Sequence, residues 1–129
     1  MAETDSTTSE DKKRILIAED EKAIISVLSI KLESSGFIVD KAMNGKEALE
    51  LLQKNEYDLV LLDLIMPIVN GFEVLEYVKE NNIDAKIIVT SNLGQEEDVK
   101  KAEGLGALDY FVKSDMTLSQ IVEGIKKYQ

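Results

Sequence analysis

Five short apolar runs, each followed by a stretch whose apolar residues recur at helical spacing, limit what this chain can fold into more than any other feature. The first run is Ile15-Leu16-Ile17-Ala18, and the segment after it, starting near Asp20, places Ile24, Leu28 and Leu32 on one stripe before Gly36. Phe37-Ile38-Val39 follows, then an Asn44-Gly45 turn and a stripe of Ala48, Leu49 and Leu52. Leu59-Val60-Leu61-Leu62 leads through a loop with Pro67 into a helix near 72–80, with Val74, Leu75 and Val78 inward. Ile87-Ile88-Val89 precedes a weakly apolar helix near 95–104, and Tyr110-Phe111-Val112 precedes the stripe of Leu118, Ile121, Val122 and Ile125. Short apolar runs alternating with segments of period 3.6 predict βα units and a parallel sheet. The continuously apolar runs at 15–18, 59–62 and 87–89 predict central strands covered on both faces, and the runs flanked by Asp and Lys predict edges.

A chain of 129 residues suits one compact domain, expected over 13–129. The segment before it carries acids, no base until Lys12 and almost no apolar side chain, so residues 1–12 are expected to form a disordered acidic tail. With 25 acidic and 15 basic residues the net charge is −10, which argues against direct nucleic-acid binding and against an anionic membrane surface. No apolar run approaches the roughly 20 residues that span a bilayer, and the N-terminus is unlike a signal peptide, so a cytoplasmic location is expected. The chain has no Cys and no His. That removes disulfides, thiolate chemistry, the commonest general base and the usual zinc ligands.

Polar residues able to do chemistry follow four of the five runs directly: Glu19 and Asp20, then Asp63, then Thr90 and Ser91, then Lys113. In a parallel sheet the strand C-termini share one edge, and ligands bind in the crevice outside it. Glu19, Asp20 and Asp63 would then lie within several ångström of one another. At ~5 Å and an effective dielectric of ~20, each like-charged pair costs on the order of 3 kcal/mol. Such a cluster calls for cations. Lys113 supplies one charge, and oxygen-only ligands favour a hard divalent ion, Mg²⁺ above all where phosphate is handled. Taken singly, each residue has another use: Asp20 as a helix N-cap, Asp63 as a turn cap, Thr90 as the cap of the next helix, Lys113 as a solvated surface lysine, Tyr110 as core, and Pro67 and Gly71 as loop residues. Their joint placement at consecutive strand ends is what singles them out.

The segments ILIAEDE, DLVLLDLIMPIVNG, IIVTSN and GALDYFVK, in this order and spacing, make residues 14–128 resemble a response-regulator receiver domain. The resemblance implies a flavodoxin-like, doubly wound (βα)5 fold with a five-stranded parallel sheet in the order 2-1-3-4-5. It also implies that Asp63 accepts a phosphoryl group from a sensor histidine kinase or phosphotransfer protein. By the same resemblance Glu19 and Asp20 are the acidic pair, with Asp20 the direct Mg²⁺ ligand, and the Ile65 backbone carbonyl joins Asp63 on the ion. Lys113 pairs with the phosphoryl oxygens, Thr90 and Tyr110 are the switch pair, and Pro67 and Gly71 shape the loop after the acceptor strand. A downstream protein target would read the face built by the fourth helix, fifth strand and fifth helix. The chain departs from the family at Ser114, where Pro is usual after the lysine and often follows a cis bond; a cis Lys113–Ser114 peptide would cost ~3 kcal/mol. Asn70 replaces a frequent Asp, and Ser91 a frequent small apolar residue. The expected activity is that of a switch rather than an enzyme. A phosphorelay intermediate and a degenerate receiver used only for docking remain alternatives. A haloacid-type phosphatase would need a second Asp where Ile65 stands, and a dinucleotide site would need glycines where Glu19-Asp20-Glu21 stand. Oligomeric state, and whether the chain acts alone or within a longer regulator, stay open.

Overall fold

Strand β1 (Arg14–Ala18) is an interior strand of the sheet because its side chains from Ile15 onward are apolar on both faces. Successive residues of a strand point to opposite sides, so Leu16 and Ala18 enter one core while Ile15 and Ile17 enter the other. A computed structural model describes residues 12–128 of the chain. Residues 1–11 of the expected acidic tail lie outside the described residues.

After β1 come α1 (Lys22–Ser34), β2 (Ile38–Ala42), α2 (Gly45–Lys54), β3 (Leu59–Asp63), α3 (Gly71–Glu80), β4 (Lys86–Ser91), α4 (Glu96–Gly104), β5 (Asp109–Val112) and α5 (Leu118–Lys126). All pairings are parallel and the order is β2-β1-β3-β4-β5. The expected flavodoxin-like topology is therefore present, with β2 and β5 as edges. On one face Val60, Leu62, Ile87 and Val89 pack against Ala48 and Leu52 of α2, Val74, Leu75 and Val78 of α3, and Ala102 of α4. On the other, Leu59, Leu61, Ile88 and Phe111 pack against Ile25, Leu28 and Leu32 of α1 and Ile121, Val122 and Ile125 of α5. The chain leaves α1 and α4 through Gly36 (φ +98°) and Gly106 (φ +106°), left-handed positions that suit glycine.

Two expected boundaries shift. Helix α1 starts at Lys22, with Glu21 at the N-cap position, rather than near Asp20. Asp20 is thus released from the capping use it could have had. Strand β2 runs past Val39 through Asp40 and Lys41 to Ala42, because an edge strand needs only one apolar face to pair. None of the peptide bonds among the described residues is cis, so Lys113–Ser114 is trans, and Lys113–Asp115 forms a single 3-10 turn.

Candidate functional site

The C-terminal edge of the sheet collects the polar residues that follow the strands. Glu19 directly follows β1 and continues its pairing, its N–H donating to Ala42 O at 3.0 Å. Asp63 is the last residue of β3, and the register sets Thr90 beside it on β4. Lys113 follows β5 directly. Its ammonium lies 2.6 Å from Glu19 Oε1, 3.1 Å from Asp63 Oδ2 and 3.7 Å from Glu21 Oε1. The second oxygen of each inner carboxylate is held by backbone: Glu21 N–H donates to Glu19 Oε2 at 3.1 Å, and Ile65 N–H donates to Asp63 Oδ1 at 3.2 Å.

Burial sets the electrostatics. Glu19 is 2% exposed and Asp63 4%, whereas Asp20 faces solvent. Loss of water pushes both inner carboxyls above the ordinary carboxylate range. Lys113 pulls each back without cancelling the rise, and the neighbouring acids (Asp63 for Glu19, Asp20 for Asp63) push the same way as burial. Burial works against the Lys113 charge as well. The bond to Glu19 and the charge of Asp63 outweigh it, so the ammonium is held above its ordinary value. With all of them ionised, Glu19, Asp20, Glu21 and Asp63 outnumber the one ammonium by three charges.

One carboxylate oxygen from each of Glu19, Asp20 and Asp63 lies within 4.8 Å of the other two. Those distances, an all-oxygen donor set and the unbalanced charge fit a hard divalent cation such as Mg²⁺. Thiolate and imidazole ligands are not available, since the chain lacks Cys and His.

The residues after Asp63 are shaped by Gly71. A Cβ there would lie 2.4 Å from Asp63 O and 2.6 Å from Leu64 Cα, so only glycine lets α3 begin against the end of β3. Its N–H donates to Leu64 O at 2.9 Å, and Asn70 and Glu73 close a reciprocal capping box one residue earlier. Pro67 enters through its carbonyl, which accepts from Val69 N–H at 2.8 Å.

Of the residues expected at the site, Glu19, Asp20, Asp63, Thr90 and Lys113 converge, and Ile65 meets Asp63 through its backbone N–H. Thr90 is buried and does not cap α4, whose N-cap position is Gln95. It shares with Glu19 and Lys113 a cavity of about 70 Å³ walled by apolar side chains of α1 and α5, among them Leu28 and Ile121. Tyr110 stands one strand further out, and its hydroxyl donates to Leu93 O in the loop after β4. One contributor was not singled out by sequence: Glu21 reaches Lys113 from the N-cap position of α1, at 3.7 Å. Adjacency to the end of β1 was the available signal. Ser91, expected after the fourth run, is fully buried and accepts from Leu93 N–H at 3.1 Å.

The family model for the response regulator receiver domain matches residues 15–126. The chain belongs to the response regulator receiver family. This receiver is 39% identical over 101 residues to the chemotaxis protein CheY of Halobacterium salinarum, covering 78% of this chain and 84% of that one. It is 31% identical over 116 residues to the sporulation initiation phosphotransferase F of Bacillus subtilis, covering 90% and 93%. The receiver domain of other relatives is one part of a longer protein; the chain spans 44% of the transcriptional regulatory protein CusR of Escherichia coli. Among solved structures it superposes with a TM-score of 0.78 and 36% identity on the response regulator TrrA of Thermotoga maritima in complex with Mg²⁺ and beryllium fluoride, covering 91% of this chain and 99% of that one. The chain is thus a receiver of the two-component type with an acidic cluster suited to Mg²⁺. No described helix is long and apolar enough to cross a membrane.

Proposed function

We propose that this receiver takes a phosphoryl group onto Asp63 from a histidine kinase or a phosphotransfer protein, with Mg²⁺, and signals through the face formed by α4, β5 and α5. The observation that carries the reading is the bridge from Lys113 Nζ to Glu19 and Asp63 at a strand-end carboxylate that little solvent reaches. Glu19, Asp20, Asp63 and the Ile65 carbonyl would hold the ion, with Asp20 the exposed, direct ligand. Bound Mg²⁺ would supply positive charge for the oxygens of the incoming group.

The chain's own residues do the rest. An Asp63 carboxylate oxygen attacks phosphorus, the phosphorus–nitrogen bond of the donor phosphohistidine breaks, and the donor keeps the electron pair. The product is an acyl phosphate whose charge Lys113, already 3.1 Å from Asp63, is placed to meet. The Ile65 N–H fixes the carboxylate plane before the reaction. Thr90, beside Asp63 in register, then donates its hydroxyl to a phosphoryl oxygen. Tyr110 and the β4–α4 loop are joined through Leu93 O, so a shift of Thr90 reaches both. Helix α4 is lightly seated for such a shift. Ala102 is its one buried residue, and Lys101 over the Phe72 ring (4.3 Å to the centroid) and Lys79 Nζ on Gly104 O (3.2 Å) hold its α3 side.

Phosphoryl uptake from acetyl phosphate with Mg²⁺, read as one added phosphoryl group by mass, tests the reading. Steady release of phosphate from simple phosphoesters would favour a phosphatase instead. Mg²⁺ at ten times its Kd is expected to stabilise the fold by about 1.4 kcal/mol. In thermal unfolding that corresponds to a Tm rise of about 5 °C. Ca²⁺-free, Mg²⁺-free controls giving the same Tm would count against the ion. Thr90→Ala is expected to take up phosphoryl while losing most of the amide shift changes in α4 and β5.

A further inference from the structure

We propose that Gly45, at the first turn of α2, is a positioning residue for the segment that follows Asp63. A Cβ at this position would lie 1.9 Å from Val69 O, 2.6 Å from Val69 C and 2.7 Å from Val69 Cβ. The Val69 backbone therefore rests directly on the Gly45 Cα. The need is for space alone, because Gly45 is not among the glycines of positive φ. Neither partner can retreat cheaply. Asn44 caps α2 by accepting from Glu47 N–H at 2.8 Å, Glu47 Oε1 accepts from Met43 N–H at 2.7 Å, and Ala48 one turn on is fully buried.

On the other side of the contact the loop is strained. Ile68 adopts φ +72°, and Val69 N–H returns to Pro67 O at 2.8 Å, closing a three-residue γ-turn. A β-branched residue in the left-handed region is an outlier, and such strain persists only where surroundings over-determine it. Here the surroundings are the Gly45 contact at Val69, the Gly71 N–H on Leu64 O at 2.9 Å and the Ile65 N–H on Asp63 Oδ1 at 3.2 Å. The start of α2 thus bears, through Val69 and the turn at Ile68, on the residue that orients the Asp63 carboxylate. The consequence for phosphorylation rests on Asp63 being the acceptor; the placement of the loop does not.

The experiment compares Gly45→Ala with Leu52→Ala, which removes a buried side chain from the same helix seven residues beyond the Gly45 contact. At a temperature where both are folded by circular dichroism, amide shifts of Ile65, Met66, Ile68 and Val69 and the rate of acetyl phosphate labelling with Mg²⁺ are recorded. Gly45→Ala is expected to move those amides and to slow labelling roughly tenfold or more, the scale of loss from a small misplacement of reacting groups. Leu52→Ala is expected to lower Tm and change neither. Unmoved amides, wild-type labelling in Gly45→Ala, or equal changes in Leu52→Ala would overturn the inference. Moved amides in Gly45→Ala alone, with no labelling even of wild type, would leave the placement standing and remove the phosphoacceptor reading. Should Gly45→Ala not fold, the same readouts are taken in an Ile68→Gly background, where a glycine gives the turn room to yield.

Discussion

Asp63→Asn is expected to abolish phosphoryl uptake, with labelling by acetyl phosphate and Mg²⁺ falling by at least about a thousandfold, as when a reacting group is removed from a site that works as a unit. The substitution is chosen because it changes chemistry more than shape. The amide oxygen can still accept from Ile65 N–H, now 3.2 Å from Asp63 Oδ1, so the loop keeps its anchor. Lys113 keeps its 2.6 Å bond to Glu19. What is lost is the nucleophilic carboxylate. Burial already holds the Asp63 carboxyl above its ordinary range, which means the ionised form is disfavoured in the metal-free fold. The variant is therefore expected to resist urea at least as well as wild type without Mg²⁺ and to gain less from added Mg²⁺. Labelling at the wild-type rate would remove Asp63 from the acceptor role.

Much of this site can be read before any coordinates, and the reason is geometric. In a parallel sheet the end of an apolar run is also the end of a strand, so Glu19, Asp63, Thr90 and Lys113 declare their shared edge by position alone. The core is equally legible: alternate residues of the runs at 15–18 and 59–62 divide between two helix layers. Residues whose part depends on the path of a loop are less legible. Asp20 can cap a helix or face a ligand, and only the observed start of α1 at Lys22 separates these uses. The reach of β2 to Ala42 is hidden because Asp40 and Lys41 interrupt the apolar pattern of an edge strand. Asn70 with Glu73, and Thr117 with Gln120, did carry the spacing of capping boxes, a local signal that marks the starts of α3 and α5. The positive φ of Ile68 has no such signature, since nothing local favours a β-branched residue there; it follows from contacts at both ends of the loop.

Lys113→Met is expected to lower the stability of the metal-free protein by about 3 kcal/mol at neutral pH, the scale of loss when one partner of a buried ion pair is removed. Methionine keeps most of the lysine stem and deletes the charge that bridges Glu19 and Asp63. Those two carboxylates would then face each other nearly dry, with Asp20 and Glu21 close by and no ammonium between them. Both already titrate above their ordinary values with Lys113 present, and its loss removes the influence that holds them down. Between the unfolded and folded values the native chain binds more protons than the unfolded one, so stability falls as pH rises through that window, beginning near a carboxylate's ordinary value of about 4. The variant's deficit should thus shrink toward acid and grow toward neutrality. The contribution of Lys113 itself, raised from an ordinary 10.5, is fully present below that value in wild type and lost only as pH rises through the folded one. Mg²⁺ should recover part of the deficit by restoring positive charge between the acids, while acetyl phosphate labelling stays down by about a hundredfold or more, because the ammonium that meets the phosphoryl oxygens is gone. Urea midpoints at acid and neutral pH, with and without Mg²⁺, separate this from simple loss of packing around the stem. A packing defect would cost the same at every pH and would not respond to the ion, and that pattern would take Lys113 out of the electrostatic role argued for it.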